Sequence, residues 1–302
     1  MMAKKTEERN MRSLNLDEMS AQEIVSLMQE EDREIHFGIS PATPHIAKAV
    51  EEIVKRWQEG GRVFVIGAGT SGRIGMLDAV ELGPTFSVES DRWTAIVAGG
   101  NEAMWQPLEE NEDDEAVIQA ELKSRNLNEK DTIIGIAASG STPFVVSGLL
   151  YGKKQGALTI AISNNEQTKV SAISDIGIEA VAGPEVIRGS TRLKAGTTQK
   201  MIINMISTAV MVRLGKVYGN EMVDMKLINQ KLVQRAAGII QTVADIPEEE
   251  AFTLLKKSQF QLKEALFMAL TDASQEEAVR FLQETDGHIK KAVTLFFGKN
   301  TK

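Results

Sequence analysis

RVFVIGAGTSGRIG, residues 62–75, is the stretch on which the fold turns. Residues 62–66 form a short run rich in apolar, β-branched and aromatic side chains, which predicts a buried strand. The string GAGTSGRIG that follows, residues 67–75, ends the strand with glycines and opens a helix. Backbone N–H groups and the helix dipole at such a junction converge on an anion. The same string matches the GxGxxG dinucleotide fingerprint. A dinucleotide site wants an acidic residue at the end of the second strand, however, and that strand runs into Ala98-Gly99-Gly100 before Glu102 arrives. The hydroxyls of Thr70 and Ser71 beside Gly69 favour a phosphosugar instead.

Moving outward, similar runs recur at 94–98, 132–137, 157–163 and 176–181, separated by segments of helical period. Continuously apolar strands alternating with helices predict an α/β fold of the doubly wound class, a mainly parallel five-stranded sheet covered on both faces. The strand at 132–137 leads into Ala138-Ser139-Gly140-Ser141-Thr142-Pro143, a second hydroxyl-rich loop before a helix. Ser, Thr and Gly also serve as N-caps and turn residues, so one such loop says little. Two at neighbouring strand ends place a ligand where open α/β sheets bind them.

The first 60 residues read as helical, with a turn at Pro41 to Pro44 before the periodic segment 46–57. Beyond residue 181 a Gly- and Ser/Thr-rich segment, 183–198, precedes an apolar helix expected over 200–218 and another over 223–243. The tail repeats with a period of 27: Glu249-Glu250-Ala251 returns as Glu276-Glu277-Ala278, Leu255 as Leu282, Lys263 as Lys290 and Ala265 as Ala292. Two copies are too few for a solenoid and predict a small helical bundle. The expected organisation is an N-terminal helical segment (1–52), a phosphosugar-binding domain (53–220), a connecting helix (221–245) and a C-terminal helical, UBA-like domain (246–302).

Bulk composition narrows the partners. A net charge of -8 over 302 residues argues against non-specific nucleic-acid binding, which needs Lys and Arg to neutralise phosphates. Without cysteine there is no disulfide or thiolate, and His36, His45 and His288 form no spaced ligand cluster, so a catalytic metal is not expected. The longest apolar stretch, 201–214, carries Asn204, Ser207 and Thr208 and is too short to span a bilayer. The charged N-terminus is unlike a secretory signal. A cytoplasmic protein with no membrane partner is expected.

Two carboxylates stand out. Glu81 is expected to close the helix that the first loop opens, just before Gly83-Pro84, where the negative helix end favours the protonated form and suits an acid. Glu112 lies in Asn111-Glu112-Asp113-Asp114-Glu115, read as an N-cap followed by an acidic first turn, where ionisation is favoured and a base is suited. Each pattern also has an ordinary reading, as a solvated helix end and a charged capping run.

Nearly the whole chain resembles the N-acetylmuramic acid 6-phosphate etherase family, built around a sugar isomerase (SIS) domain. The resemblance rests on LNLDEMS (14–20), IGAGTSGRIG (66–75), LDAVELGPTF (77–86), Glu112-Asp113-Asp114, GPEVIRGSTRLKAGTTQK (183–200) and NMISTAVMVRLGKVYGNEMVD (204–224). It implies a cofactor-free lyase that cleaves the D-lactyl ether of its sugar phosphate, with Glu81 as proton donor and Glu112 as the second catalytic residue. It also implies phosphate anchoring by Gly69, Thr70, Ser71, Ser139, Ser141 and Thr142, with Ser190 and Arg192 as weaker pocket candidates, and a homodimer. Gly83 replaces a proline often found in the family pattern, and Arg188 a threonine; Arg188 adjoins Gly189-Ser190-Thr191 and bears on substrate range. The ring-opening group is left among His36, His45, Lys194 and Lys200. An aldose-ketose isomerase would use the same loops without an acid aimed at C3. A phosphosugar-sensing regulator tends to carry two SIS domains, and this chain has room for one.

Overall fold

The structure, a computed structural model, describes residues 4–300. Five strands, β1 (Val63–Gly67), β2 (Trp93–Val97), β3 (Thr132–Ile136), β4 (Leu158–Ser163) and β5 (Ile176–Glu179), form one sheet in the order β2-β1-β3-β4-β5, every pair parallel. The three central strands are buried along their whole length, as continuous apolar runs require. The doubly wound expectation is met.

Helices α1 (Ala21–Glu31), α2 (Glu34–Ile39) and α3 (Thr43–Gln58) precede the sheet, and α4 (Gly69–Phe86) joins β1 to β2. Next come α5 (Glu115–Ser124), α6 (Pro143–Lys154), α7 (Lys169–Ile173) and α8 (Lys194–Arg213). One face of β1 presents Phe64 and Ile66 to a core shared with Ile118 and Leu122 of α5 and Phe144, Val145 and Leu149 of α6. The other face carries Val65, which Gly75 of α4 approaches so closely that a Cβ there would come within 2.7 Å of it. The connections after β1 and β3, neighbours in the sheet, therefore leave toward opposite faces. That divergence is the crevice where such sheets hold ligands.

The chain groups into two compact units, one running to Val80 and resuming over Glu89–Ser207, the other made of Glu81–Val88 and the chain from Thr208. The second unit holds a small hairpin, β6 (Val217–Tyr218) and β7 (Glu221–Met222), then α9 (Gln230–Ala244), α10 (Glu248–Lys257), α11 (Leu262–Thr271), α12 (Gln275–Glu284) and α13 (Ile289–Asn300). The 27-residue repeat is a pair of helical hairpins, α10–α11 and α12–α13, and its matched positions Ala251 and Ala278, Leu255 and Leu282, and Ala265 and Ala292 are all buried. Phe267, Phe281 and Phe296 pack ring on ring at their centre, with centroids 5.3 to 6.0 Å apart.

Several boundaries differ from the sequence reading. α8 begins at Lys194, not 200, and ends at Arg213; Gly215, at φ +72°, breaks it, and Tyr218 belongs to the hairpin. α9 begins only at Gln230, where Asn229 caps it by accepting the Leu232 N–H. Among the described residues no helix is long and apolar enough to cross a membrane.

Candidate active site

The first loop turns at Gly69, whose φ of +51° suits glycine, and α4 starts there directly from the end of β1. Thr70 is half-buried against α8, where a Cβ on Gly196 would stand 3.3 Å from the Thr70 methyl. Ser71 is buried, and its hydroxyl donates to Gln199 Oε1 at 2.9 Å. Gln199 Nε2 in turn donates to Asn164 Oδ1, and Asn164 Nδ2 to the Ala180 carbonyl. A carbonyl can only accept, so Ala180 fixes the Asn164 amide, which fixes Gln199, which holds the Ser71 hydrogen inward. Toward the loop mouth Ser71 offers lone pairs, while Thr70 and the N–H groups at the start of α4 are the donors.

The second loop turns at Gly140, φ +68°, where a Cβ would fall 2.3 Å from the Thr168 side chain. Ser139 Oγ accepts from the backbone N–H and the hydroxyl of Ser141, both at 3.3 Å. Thr142 occupies the N-cap position of α6, yet its hydroxyl makes no capping bond. The capping explanation for this loop therefore fails at Thr142. Asn165, just past β4, donates to the Ala138 carbonyl at 2.9 Å and ties the loop to the next strand end.

A third segment reaches the same edge. Glu185, almost wholly buried, accepts the Lys194 and Ala195 N–H groups at 2.9 Å each and so caps α8 from nine residues upstream. Burial pushes the Glu185 carboxyl up, against the two backbone N–H groups and the Lys194 charge. The Thr191 carbonyl accepts the Gly196 N–H, which sets the turn of half-buried Ser190 and exposed Arg192 beside the helix turn that faces Thr70. Arg73, the cation inside the first loop, donates to the Ala103 and Gln106 carbonyls.

Both glutamates are exposed, but neither sits at the helix end expected of it. α4 continues through Gly83-Pro84 to Phe86 and closes with Ser87 at φ +53° and a Val88 N–H to Leu82 carbonyl bond. Glu81 is thus inside the helix, and it groups with the second unit. Near the other glutamate, the cap of α5 is Asp114, accepting the Ala116 and Val117 N–H groups, and not Asn111. Glu112 lies before it in a single 3-10 turn, Glu109–Asp113. Asn111 Nδ2 stands 3.2 Å from where a Gly99 Cβ would be, so this turn rests at the carboxyl end of β2, beside β1. Of the remaining candidates, Lys194 is buried in an ion pair with Glu31 at 2.6 Å, and His45 lines a shallow pocket with Thr168 and Glu179.

Residues 45–153 match the glucokinase regulatory protein N-terminal SIS domain, residues 114–209 the SIS domain, and residues 219–299 the C-terminal lid domain of glucokinase regulatory protein. Among full-length relatives, N-acetylmuramic acid 6-phosphate etherase 2 of Bacillus licheniformis is 54% identical over 290 residues, 96% of this chain and 97% of its own. The chain belongs to the N-acetylmuramic acid 6-phosphate etherase family. The etherase of Clostridium beijerinckii is 46% identical over 288 residues, 95% of each chain. Over 64% of this chain the fold is similar to that of a phosphoheptose isomerase of Francisella tularensis, all of which is covered, with a TM-score of 0.50 and 18% identity.

Sequence motifs do not reveal the polar residues that brace the loops. Gln199 and Asn164 orient Ser71 across 128 and 35 positions of sequence, which no local pattern announces. Asp78 was missed too. It is buried on α4, accepts Asn204 Nδ2 at 2.6 Å and Ser207 Oγ at 2.8 Å through one oxygen, and leaves the other without a partner. Burial pushes its carboxyl up, opposed by those two bonds and by Lys200. The available signal was the pair of polar residues, Asn204 and Ser207, three positions apart in the mainly apolar stretch 201–214.

Proposed function

We propose that the protein is an N-acetylmuramic acid 6-phosphate etherase, a lyase that releases D-lactate and leaves N-acetylglucosamine 6-phosphate. The observation that carries this reading is 54% identity to an etherase over 96% of this chain and 97% of that one. The chemistry explains why such a site needs two carboxyl groups. An ether at sugar C3 resists direct hydrolysis, but ring opening exposes an aldehyde that acidifies the C2 proton. A base removes that proton, and the electron pair expels lactate from C3 as an acid protonates the departing oxygen. Water then adds at C3 of the unsaturated aldehyde. One C–O bond breaks, one forms, and no electrons are gained or lost.

By motif, Glu81 is the acid and Glu112 the base, two carboxyl groups with divided proton duties. The division rests on the family motifs, since neither side chain sits at the helix end that would have tuned it. Thr70, Ser139, Ser141 and Thr142, with Gly69, anchor the phosphate at the start of α4 and α6. Ser71 keeps the first loop in shape through Gln199, and Ser190 and Arg192 flank it. The reaction uses no cofactor and serves cell-wall amino-sugar recycling in the cytoplasm, and the enzyme works as a homodimer.

Purified protein incubated with N-acetylmuramic acid 6-phosphate will release D-lactate stoichiometrically with N-acetylglucosamine 6-phosphate. Turnover of a ketose phosphate without lactate would transfer the reading to an isomerase.

A further inference from the structure

The two hydroxyl-rich loops supply neutral donors and helix dipoles, but a sugar phosphate brings about two negative charges at neutral pH to a protein that itself carries -8. Arg73, the cation within the first loop, is turned toward the segment after β2, with Nε and one terminal nitrogen donating to the Ala103 and Gln106 carbonyls. The chain's beginning offers an ammonium instead. Lys4 Nζ donates to Ser141 Oγ at 2.8 Å, across 137 positions of sequence. Among the described residues Ser141 otherwise bonds Ser139 alone, through two long contacts of 3.3 Å, so the ammonium is held at a hydroxyl that is tied only within its own loop.

The placement of Lys4 is built into the fold. The Glu7 N–H donates to the Lys4 carbonyl at 2.9 Å, closing the turn Lys5–Glu7. Thr6, almost fully buried, exchanges two bonds with Asn165: its N–H donates to Oδ1 and its hydroxyl accepts from Nδ2. The same Asn165 Nδ2 donates to the Ala138 carbonyl, so one amide couples the strap to the second loop. Arg188 Nε holds the Glu7 carbonyl at 2.7 Å, and the buried Asn10 side chain donates to Glu31 and to the Pro184 carbonyl. Residues 4–10 therefore form a strap pinned to the end of β4 and to the segment before α8, with Lys4 delivered to the loop hydroxyls.

We infer that Lys4 is a substrate-binding residue, its ammonium leaving Ser141 to pair with the substrate phosphate when the pocket fills. The inference rests on the reading of the two loops as the phosphate site. A charge-assisted bond to phosphate strengthens ground state and transition state alike, so its loss falls on KM and spares kcat.

The test measures lactate release against N-acetylmuramic acid 6-phosphate, with inorganic phosphate as competing inhibitor, for wild type, Lys4→Ala, Lys4→Arg, Lys5→Ala and the double variant Ser139→Ala/Ser141→Ala. Lys5 makes the control: it sits on the same strap and carries the same charge, but its ammonium pairs with Glu8. Lys4→Ala raises KM and the phosphate inhibition constant together by about tenfold, with kcat within about twofold. Lys4→Arg restores both constants, and Lys5→Ala changes neither. A KM unchanged in Lys4→Ala beside a raised one in the double serine variant overturns the role of Lys4 alone. Equal rises in Lys4→Ala and Lys5→Ala also overturn it, since they would report bulk charge. An unchanged KM in the double serine variant removes the loop reading and the inference with it.

Discussion

Glu31→Ala should strand a buried ammonium. The Glu31 carboxylate accepts from Lys194 Nζ at 2.6 Å, from Asn10 Nδ2 at 2.7 Å and from Arg12 at 3.1 Å, and both Glu31 and Lys194 are buried. Removing one partner of a buried pair costs about 3–5 kcal/mol, because the remaining charge loses the carboxylate that met it at hydrogen-bond distance and has no water in its place. For a unit of this size 1 kcal/mol shifts the melting temperature by about 2–4 °C, so Glu31→Ala lowers it by roughly 6–20 °C. Adding Lys194→Met removes the stranded charge and recovers much of that loss. The wild-type pair has its own pH signature. Burial works against the shift, but the Lys194 hydrogen bond and charge, with Asn10 and Arg12, hold the Glu31 carboxyl below its usual 4.5. Its contribution is therefore complete above that value and is lost as pH falls through the lower folded value. Calorimetric melting of the wild type and both variants decides the matter. A Glu31→Ala loss under about 1 kcal/mol, or no recovery in the double variant, would refute the reasoning.

Asp78 gives the opposite pH sign: its folded carboxyl lies above the ordinary 3.8, so the folded state binds that proton more tightly and stability is lost as pH rises through the folded value. Asp78→Asn keeps an acceptor for Asn204 and Ser207, and its melting temperature should hold steady over the window where the wild type declines. Gly140→Ala places a Cβ against Thr168 at a left-handed backbone position and should cost at least about 2 kcal/mol in urea unfolding.

The sheet was legible because its information is local. Five β-branched runs, each bounded by turn residues, became five parallel strands whose ends moved by a residue or two from the pattern. Both hydroxyl loops were legible for the same reason, each being a strand end, a glycine and a helix start in continuous sequence. The errors had one long-range cause and two local ones. α8 begins six residues before its apolar pattern because Glu185, buried upstream, caps it. Pro84 suggested a helix end, but it removes only the bond its own N–H would have made to Val80, and the turn closes beyond it at Ser87 and Val88. Asp114 outcompeted Asn111 as the α5 cap because its carboxylate reaches two N–H groups at once. The amide relay from Ala180 to Ser71 and the strap from Lys4 to Asn10 depend on residues brought together from distant parts of the chain, and no periodicity encodes them.

The proposed reaction is elimination through loss of the C2 proton, with Glu81 protonating the leaving lactate. It is tested most directly with substrate deuterated at C2, turned over in ordinary water by the wild type and by Glu81→Gln. The wild type should release lactate and give N-acetylglucosamine 6-phosphate that has lost its C2 deuterium, while Glu81→Gln stays folded, binds the substrate and releases none. Deuterium retained at C2 of the product would rule out elimination by loss of that proton, and near-normal lactate release by Glu81→Gln would rule out Glu81 as the acid.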